Sequence, residues 1–264
     1  MKFFLLKMYV VGIKNIDKEI EINFYKSTIS KKFDASNSHV KAIYGANGAG
    51  KTGIMYAVDI YQNLVLNPNY LTICNNDGSL NCLINQNLQE FKINMIFLCT
   101  FKNNTNKVFS HLIRIKRLAD GFKIVEEQLS ELSGSNLNNT QRYSTIFHIV
   151  DGKLVELRKK CEFVKELHLK TMNLLSSQSF VCAAIRPFLM NQDKDMEMDK
   201  ELLKSSLLLV RFATSLTVVL QGSDRFVDYN EILEQFVNIL NQLSIDNGES
   251  NPSNTILNKK LSYL

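Results

Sequence analysis

The chain has 264 residues, a mass of 30.2 kDa and 45% hydrophobic residues, enough to bury a sizeable core as one large domain or two small ones, which excludes wholesale disorder. Its 31 Lys and Arg against 26 Asp and Glu leave a formal charge of +5, with the basic residues scattered, so contact with nucleic acid is permitted but not demanded. The five cysteines, Cys74, Cys82, Cys99, Cys161 and Cys182, are odd in number and form no C-x-x-C pair; reduced, buried thiols in a cytoplasmic protein are expected, not a disulfide framework or a zinc site.

The opening MKFFLLKMYVVGIKN has the early Lys and apolar residues of an export signal. Lys7 interrupts the run and no small-residue cleavage site follows, so a buried first strand is expected instead. KMYVVGIKNIDKEIEINF reads as two strands joined around residues 15–18. In the second, Ile20, Ile22 and Phe24 alternate with Glu19, Glu21 and Asn23, the period of a half-buried strand. A polar connection, 26–38, leads to HVKAIY, read as a short apolar strand ending at Gly45.

Residues 45–52 spell GANGAGKT, the G-x-x-x-x-G-K-T spacing at which a loop can wrap a phosphate chain. From Lys51 the pattern becomes helical: Ile54, Ala57, Val58, Tyr61, Leu64 and Val65 fall on one face until Asn67-Pro68 stops the helix. A loop between a strand and a helix N-terminus suits an anion, because backbone N–H groups curl around it and the helix dipole favours negative charge. Gly45, Gly48 and Gly50 allow the close approach that a side chain would obstruct. Ala46, Asn47 and Ala49 complete the loop, whose amides from Asn47 to Thr52 are expected to hold phosphate oxygens. Lys51 is expected to reach the β- and γ-phosphates of ATP, and the Thr52 hydroxyl to be a ligand of Mg²⁺. The plainer reading is an ordinary Gly-rich turn.

The form G-x-N-G-x-G-K-T, preceded by GIKNIDKEIEINF and followed by TGIMYAVDIY, resembles the ATP-binding-cassette-type AAA family ATPases related to RecF, SMC and OLD proteins, many of them linked to DNA repair or phage defence. The resemblance implies an α/β fold: a P-loop NTPase of ATP-binding-cassette type with an antiparallel β-subdomain and a helical insert. EFKINMIFLCTF, KVFSHLIRIKRL and GFKIVEEQL fit three strands of that subdomain, joined at KNNTN and ADG. The resemblance also implies a Gln that contacts magnesium or its water; Gln178 in NLLSSQSF is the candidate, with Gln89 a weaker one.

Two further motifs of that family are sought and not found. An acidic strand would be four apolar residues followed by Asp-Glu, but IFHIVDG, 146–152, has Gly152 where a general base should stand, and a β-turn at Asp151-Gly152 between two strands is the favoured reading. LSGSN, 132–136, copies three letters of the L-S-G-G-Q signature without the helix that should follow, and is read as a polar loop. The histidines His39, His111, His148 and His168 show no metal-ligand spacing.

Beyond residue 150 helices are expected over KLVELRKKCEFVKELHLKTMNLL, DKDMEMDKELLKSSLLLVRF and DYNEILEQFVNILNQL, with SLTVVLQ as a possible strand between the last two. Lys204 and Arg211 interrupt the apolar stretch 202–220, so no run approaches the ~20 residues a membrane span requires. The expected organisation is an N-terminal ATPase lobe over 1–150, a mainly helical insert over 151–245 and a linker-like tail over 246–264, the C-terminal half of the ATPase head not being found in these residues. The cofactors implied are ATP and Mg²⁺; the partners implied are a second copy in a homodimer or a complementary C-terminal half, with DNA or a defence protein beyond. Three functions stay open: an ATP-binding subunit poorly hydrolytic alone, a nucleotide-dependent regulatory module without hydrolysis, and, last, a small-molecule P-loop kinase. Two strands precede the phosphate loop and RIKR, 114–117, falls on a strand, which suits a kinase lid poorly.

Overall fold

Alternation of apolar and polar side chains builds the sheet. β1 (Lys2–Val11) buries Leu6, Met8 and Val10 and pairs antiparallel with β2 (Ile20–Asn23) on one side. On its other side lies β3 (Glu90–Thr100), and from there β4 (Asn106–Leu118), β5 (Gly121–Leu132), β6 (Tyr143–Val150) and β7 (Lys153–Leu157) follow as a meander. The result is one seven-stranded antiparallel sheet in the order β2-β1-β3-β4-β5-β6-β7. The computed structural model describes residues 1–25, 41–46, 50–101, 105–132, 143–158, 174–185 and 200–218. All belong to one compact unit, Met1–Arg225.

The core lies where helices meet the sheet. α1 (Lys51–Leu66) is followed by two short helices, α2 (Tyr70–Asp77) and α3 (Ser79–Leu83), and α4 (Lys200–Ser215) comes last among the described helices. A single wide-pitched turn, Val181–Ile185, packs with α1 and α4. Phe212 of α4 stacks on Phe97 of β3 at 4.0 Å between centroids and meets Tyr61 of α1 at 6.4 Å, while Phe180 packs on Phe147 of β6 at 4.8 Å. The alternate side chains of the central strands are half-buried and carry paired charges: Arg114 reaches both Glu90 and Glu126, and Glu126 also meets His148. One sheet face is therefore apolar, and the other is polar over the central strands but carries a smaller apolar cluster at one end, Leu6, Leu98, Val108 and Leu132 with Phe4, Ile96 and Tyr143 packed against them. No helix among the described residues is long and apolar enough to cross a membrane.

The five strands read from 7–24, 90–101, 107–118 and 121–129 are all present, and the Asp151-Gly152 turn is as read: both residues have positive φ, 48° and 72°, the pattern a tight two-residue hairpin requires. Two expectations are corrected. Residues 41–46 form no strand; Ile43 is 41% and Tyr44 91% exposed. A strand needs a neighbour to satisfy its backbone, and the sheet ends at β2 and β7 without pairing this segment. The helix expected from Lys153 gives way to β7, because the preceding turn sends the chain back along β6, where Val150 pairs with Lys153 and Phe147 with Leu157. Of the thiols, Cys74, Cys99 and Cys182 are buried, but Cys82 is exposed. His39, Val40, Cys161, His168 and the readings over 228–243 and 246–264 lie outside the described residues.

Candidate functional site

The start of α1 rests on a shelf made by the β1–β2 connection. Gly12, with φ 83°, donates its N–H to the Ile16 carbonyl at 2.8 Å, closing a tight turn over Ile13, Lys14 and Asn15. A side chain at Gly12 would run into the carbonyl oxygen of Glu90, so only glycine lets β1 leave the sheet this close to β3. The turn is pinned from the other side: Lys14 N–H donates to Leu83 O at 2.7 Å, Asn85 N–H to Gly12 O at 2.9 Å, and the Asn85 amide to Lys14 O at 2.7 Å. Ile13 and Ile16, both buried, then form the surface on which Gly50 and Gly53 sit.

Gly50 precedes the helix with φ 85° and ψ 6°, and a Cβ there would lie 2.8 Å from Ile16 Cγ1. Its carbonyl accepts the first helical bond, from Ile54 N–H at 3.2 Å. The amides of the first turn point out of the helix end without intrahelical acceptors and carry its positive partial charge; no acidic residue stands in that turn to neutralise it. The Lys51 ammonium folds back onto the chain, donating to Gly45 O at 2.6 Å and Ala46 O at 2.7 Å. Thr52 is exposed beside it. A second cation lies further along the helix: Lys14 Nζ is 4.2 Å from the ring centroid of Tyr56, about 7 Å along the α1 axis from Lys51. Taken together, these groups make a positively polarised, glycine-lined helix entrance suited to an anion.

The structure thus brings together Gly45, Ala46, Gly50, Lys51 and Thr52; Asn47, Gly48 and Ala49 lie outside the described residues. Gln178 is half-buried on a separate segment. Its N–H donates to Leu174 O, Ser176 O accepts from Ile124 of β5 at 2.7 Å, and Cys182 Sγ reaches Val65 O near the C-terminal end of α1 at 3.2 Å. Among the described residues no hydrogen bond joins Gln178 to the loop. Gln89, with φ 54°, connects Asn85 O to Arg117 N–H through its own backbone and so serves the α3–β3 junction. Asp151 is exposed in the β6–β7 turn, four strand spacings or about 19 Å from β1, which carries the shelf. Of LSGSN, Leu132 ends β5 and the remainder lies outside the described residues.

Sequence reasoning passed over Gly12, Lys14, Asn85 and Tyr56, which no spacing joins to the loop. It also passed over His111. That side chain is fully buried between the Tyr61 hydroxyl, 3.0 Å from Nδ1, and the Glu127 carboxylate, 3.3 Å from Nε2. No group of three or more His, Cys, Asp or Glu suited to a metal ion occurs among the described residues. In comparisons with known proteins, no family model and no curated protein matches this chain.

Proposed function

We propose that this chain binds Mg-ATP through residues 45–52 and acts as the nucleotide-binding lobe of an ATPase of the ATP-binding-cassette type. The observation that carries the reading is the Lys51 ammonium, held on two loop carbonyls at the N-terminus of a sixteen-residue helix with no acid in its first turn. Phosphate oxygens are stronger acceptors than the neutral carbonyls of Gly45 and Ala46, so a polyphosphate can draw Lys51 from them. The residues fit the cofactor: Gly50 adopts the left-handed backbone that starts the helix while resting directly on Ile16, Lys51 supplies a charge to the β- and γ-phosphates, and exposed Thr52 offers its hydroxyl to magnesium. Bound magnesium would neutralise charge between those phosphates. The reading implies a cytoplasmic protein, where nucleotide and magnesium are at hand.

A second observation favours binding over turnover. Asp151, the acidic residue nearest in sequence pattern to a magnesium-holding aspartate, sits in a hairpin turn, and Gly152 follows it. General-base catalysis contributes about 10²–10⁴-fold, so this chain alone is expected to hydrolyse ATP negligibly, with activity gained from a second copy or a complementary C-terminal half. A role in DNA maintenance or phage defence rests on the family resemblance. The kinase reading ranks last: Arg114 and Arg117 lie in β4, where Arg114 is held by Glu126 and Arg117 N–H by Gln89 O.

Calorimetry with Mg-ATP on the wild type and Lys51→Ala tests the proposal. Loss of a charged hydrogen-bonding group of about 1.5–3 kcal/mol corresponds to a fall in affinity of about 10- to 100-fold. Equal affinities would overturn the site. Phosphate release that is robust in the wild type and absent in Lys51→Ala would retain the site and overturn the non-hydrolytic reading.

A further inference from the structure

Glu127 occupies a position in β5 where an aliphatic side chain is the natural choice. Its cross-strand partners are Ile113 of β4 and Ile149 of β6, both buried, and the carboxylate itself is 1% exposed. Replacing Glu127 and His111 together by well-packed apolar residues would hold the sheet as firmly or more so, because a buried charge must recover its desolvation from its partners. Folding energetics alone therefore do not account for the glutamate. What it does, and leucine could not, is bind two different elements at once: Oε1 lies 3.3 Å from His111 Nε2 in β4, and Oε2 accepts the Phe180 N–H at 2.7 Å.

The chain of contacts continues beyond the sheet at both ends. His111 Nδ1 faces the Tyr61 hydroxyl of α1 at 3.0 Å, about 15 Å along the helix axis from Lys51. At the other end, Phe180 follows Gln178 and Ser179 in a segment that is anchored twice more, by Ser176 O to Ile124 N–H and by Cys182 Sγ to Val65 O. The aromatic rings of Phe147, Phe180 and Phe212 surround the path. Three side chains, each fully buried, thus tie the helix that starts at the phosphate loop to the segment that carries Gln178.

We infer that Tyr61, His111 and Glu127 form a positioning link through which nucleotide at residues 45–52 controls the order of residues 174–185. The inference rests on the nucleotide-binding reading above and extends it to a residue set that touches no nucleotide. Mg-ATP immobilises the entrance of α1, α1 holds Tyr61, and the polar path passes that restraint to the Phe180 N–H. Opening of 174–185 requires the Glu127 and Val65 contacts to break, so it becomes rarer when α1 is held. Coupling of this kind has to be shown as a difference between nucleotide-bound and nucleotide-free protein, since any core mutation loosens both.

The test is amide hydrogen exchange of peptides covering 174–185 in the full chain, with and without saturating Mg-ATP, in the wild type, Tyr61→Phe and Glu127→Gln. In the wild type, Mg-ATP is expected to slow exchange there by about fivefold or more. Tyr61→Phe, which keeps the ring and removes only the hydroxyl, is expected to retain calorimetric Mg-ATP binding while its exchange over 174–185 becomes indifferent to nucleotide. Glu127→Gln, which breaks the path at its other end, is expected to do the same and carries the test if the first variant does not fold. Wild-type binding without a nucleotide effect on 174–185, or an undiminished effect in either variant, overturns the link and leaves the binding site standing. Absence of Mg-ATP binding in the wild type overturns both.

Discussion

The Tyr61 hydroxyl meets His111 Nδ1 at 3.0 Å in a place with no solvent access, at the head of a buried polar path that runs on to Glu127. Burial, and then the charge of Glu127, pushes the Tyr61 phenol well above its usual range, so it keeps its proton. His111 Nε2 lies 3.3 Å from one carboxylate oxygen of Glu127, whose second oxygen takes the Phe180 N–H. Every group in the chain is used, the condition under which a buried polar network is tolerable.

Removing Glu127 is therefore expected to cost more than removing the Tyr61 hydroxyl. Glu127→Leu leaves both His111 Nε2 and the Phe180 N–H without their partner, for a loss of about 3–5 kcal/mol, whereas Tyr61→Phe deprives only His111 Nδ1 of one, for about 1–2 kcal/mol. Urea unfolding midpoints compare the two directly; equal losses would show that the carboxylate is not the centre of the network.

The shelf beneath α1 depends on glycine at residue 12 for two reasons at once, a left-handed φ of 83° and the Glu90 carbonyl oxygen that a Cβ would strike. Gly78, with φ 70°, faces only the Asn81 amide at 3.3 Å, a side chain that can swing away. Gly78→Ala is expected to cost about 1–2 kcal/mol for the left-handed backbone. Gly12→Ala is expected to cost more than about 3 kcal/mol and to lower Mg-ATP affinity as the shelf under Gly50 shifts. Thermal melts of the two variants decide the order.

Thr52→Ala should act through magnesium. Exposed at the start of α1, the hydroxyl has no structural duty to lose, so stability should be unchanged. Affinity for ATP is expected to fall by about tenfold with magnesium present, about 1.4 kcal/mol, and to change little in EDTA. Equal losses in both conditions would rule out the metal-ligand role.

Acid should release the far end of the sheet. Burial works to raise the Glu131 carboxyl, but hydrogen bonds from Lys107 at 2.6 Å and Arg158 at 2.7 Å outweigh it and hold the group below its ordinary 4.5. A depressed folded-state value means that the stability contributed is complete above 4.5 and is lost as pH falls through the lower, folded value. Glu131→Gln is expected to destabilise the protein by about 1–2 kcal/mol near neutral pH, with the difference from wild type shrinking in acid. Urea titrations on both sides of that window measure it; a constant difference would mean that the ion pairs contribute nothing.

Much of the sheet was legible because a strand's demand is local. Over residues 90–95, Phe91, Ile93 and Met95 alternate with Glu90, Lys92 and Asn94, and that period satisfies a sheet with one apolar face whatever the partner strand. The glycines and Asn67-Pro68 that bound α1, and the Asp151-Gly152 turn, were legible for a similar reason: their backbone preferences act within a few residues.

By itself, then, the sequence determined β1 to β6, the start and end of α1, and the presence of GANGAGKT ahead of it. Tertiary structure decided the rest. Ala42, Ile43 and Tyr44 have the letters of a strand and stay unpaired, and Lys153 to Leu157 have the charge pattern of a helix and extend along β6, because pairing depends on which neighbour is present. Gly12 supports Gly50 only after β1 and β3 are side by side, and His111 finds Tyr61 fifty residues earlier and Glu127 sixteen residues later only once helix and sheet have packed. Such contacts arise from burial among elements distant in the chain, and no local period or motif encodes them.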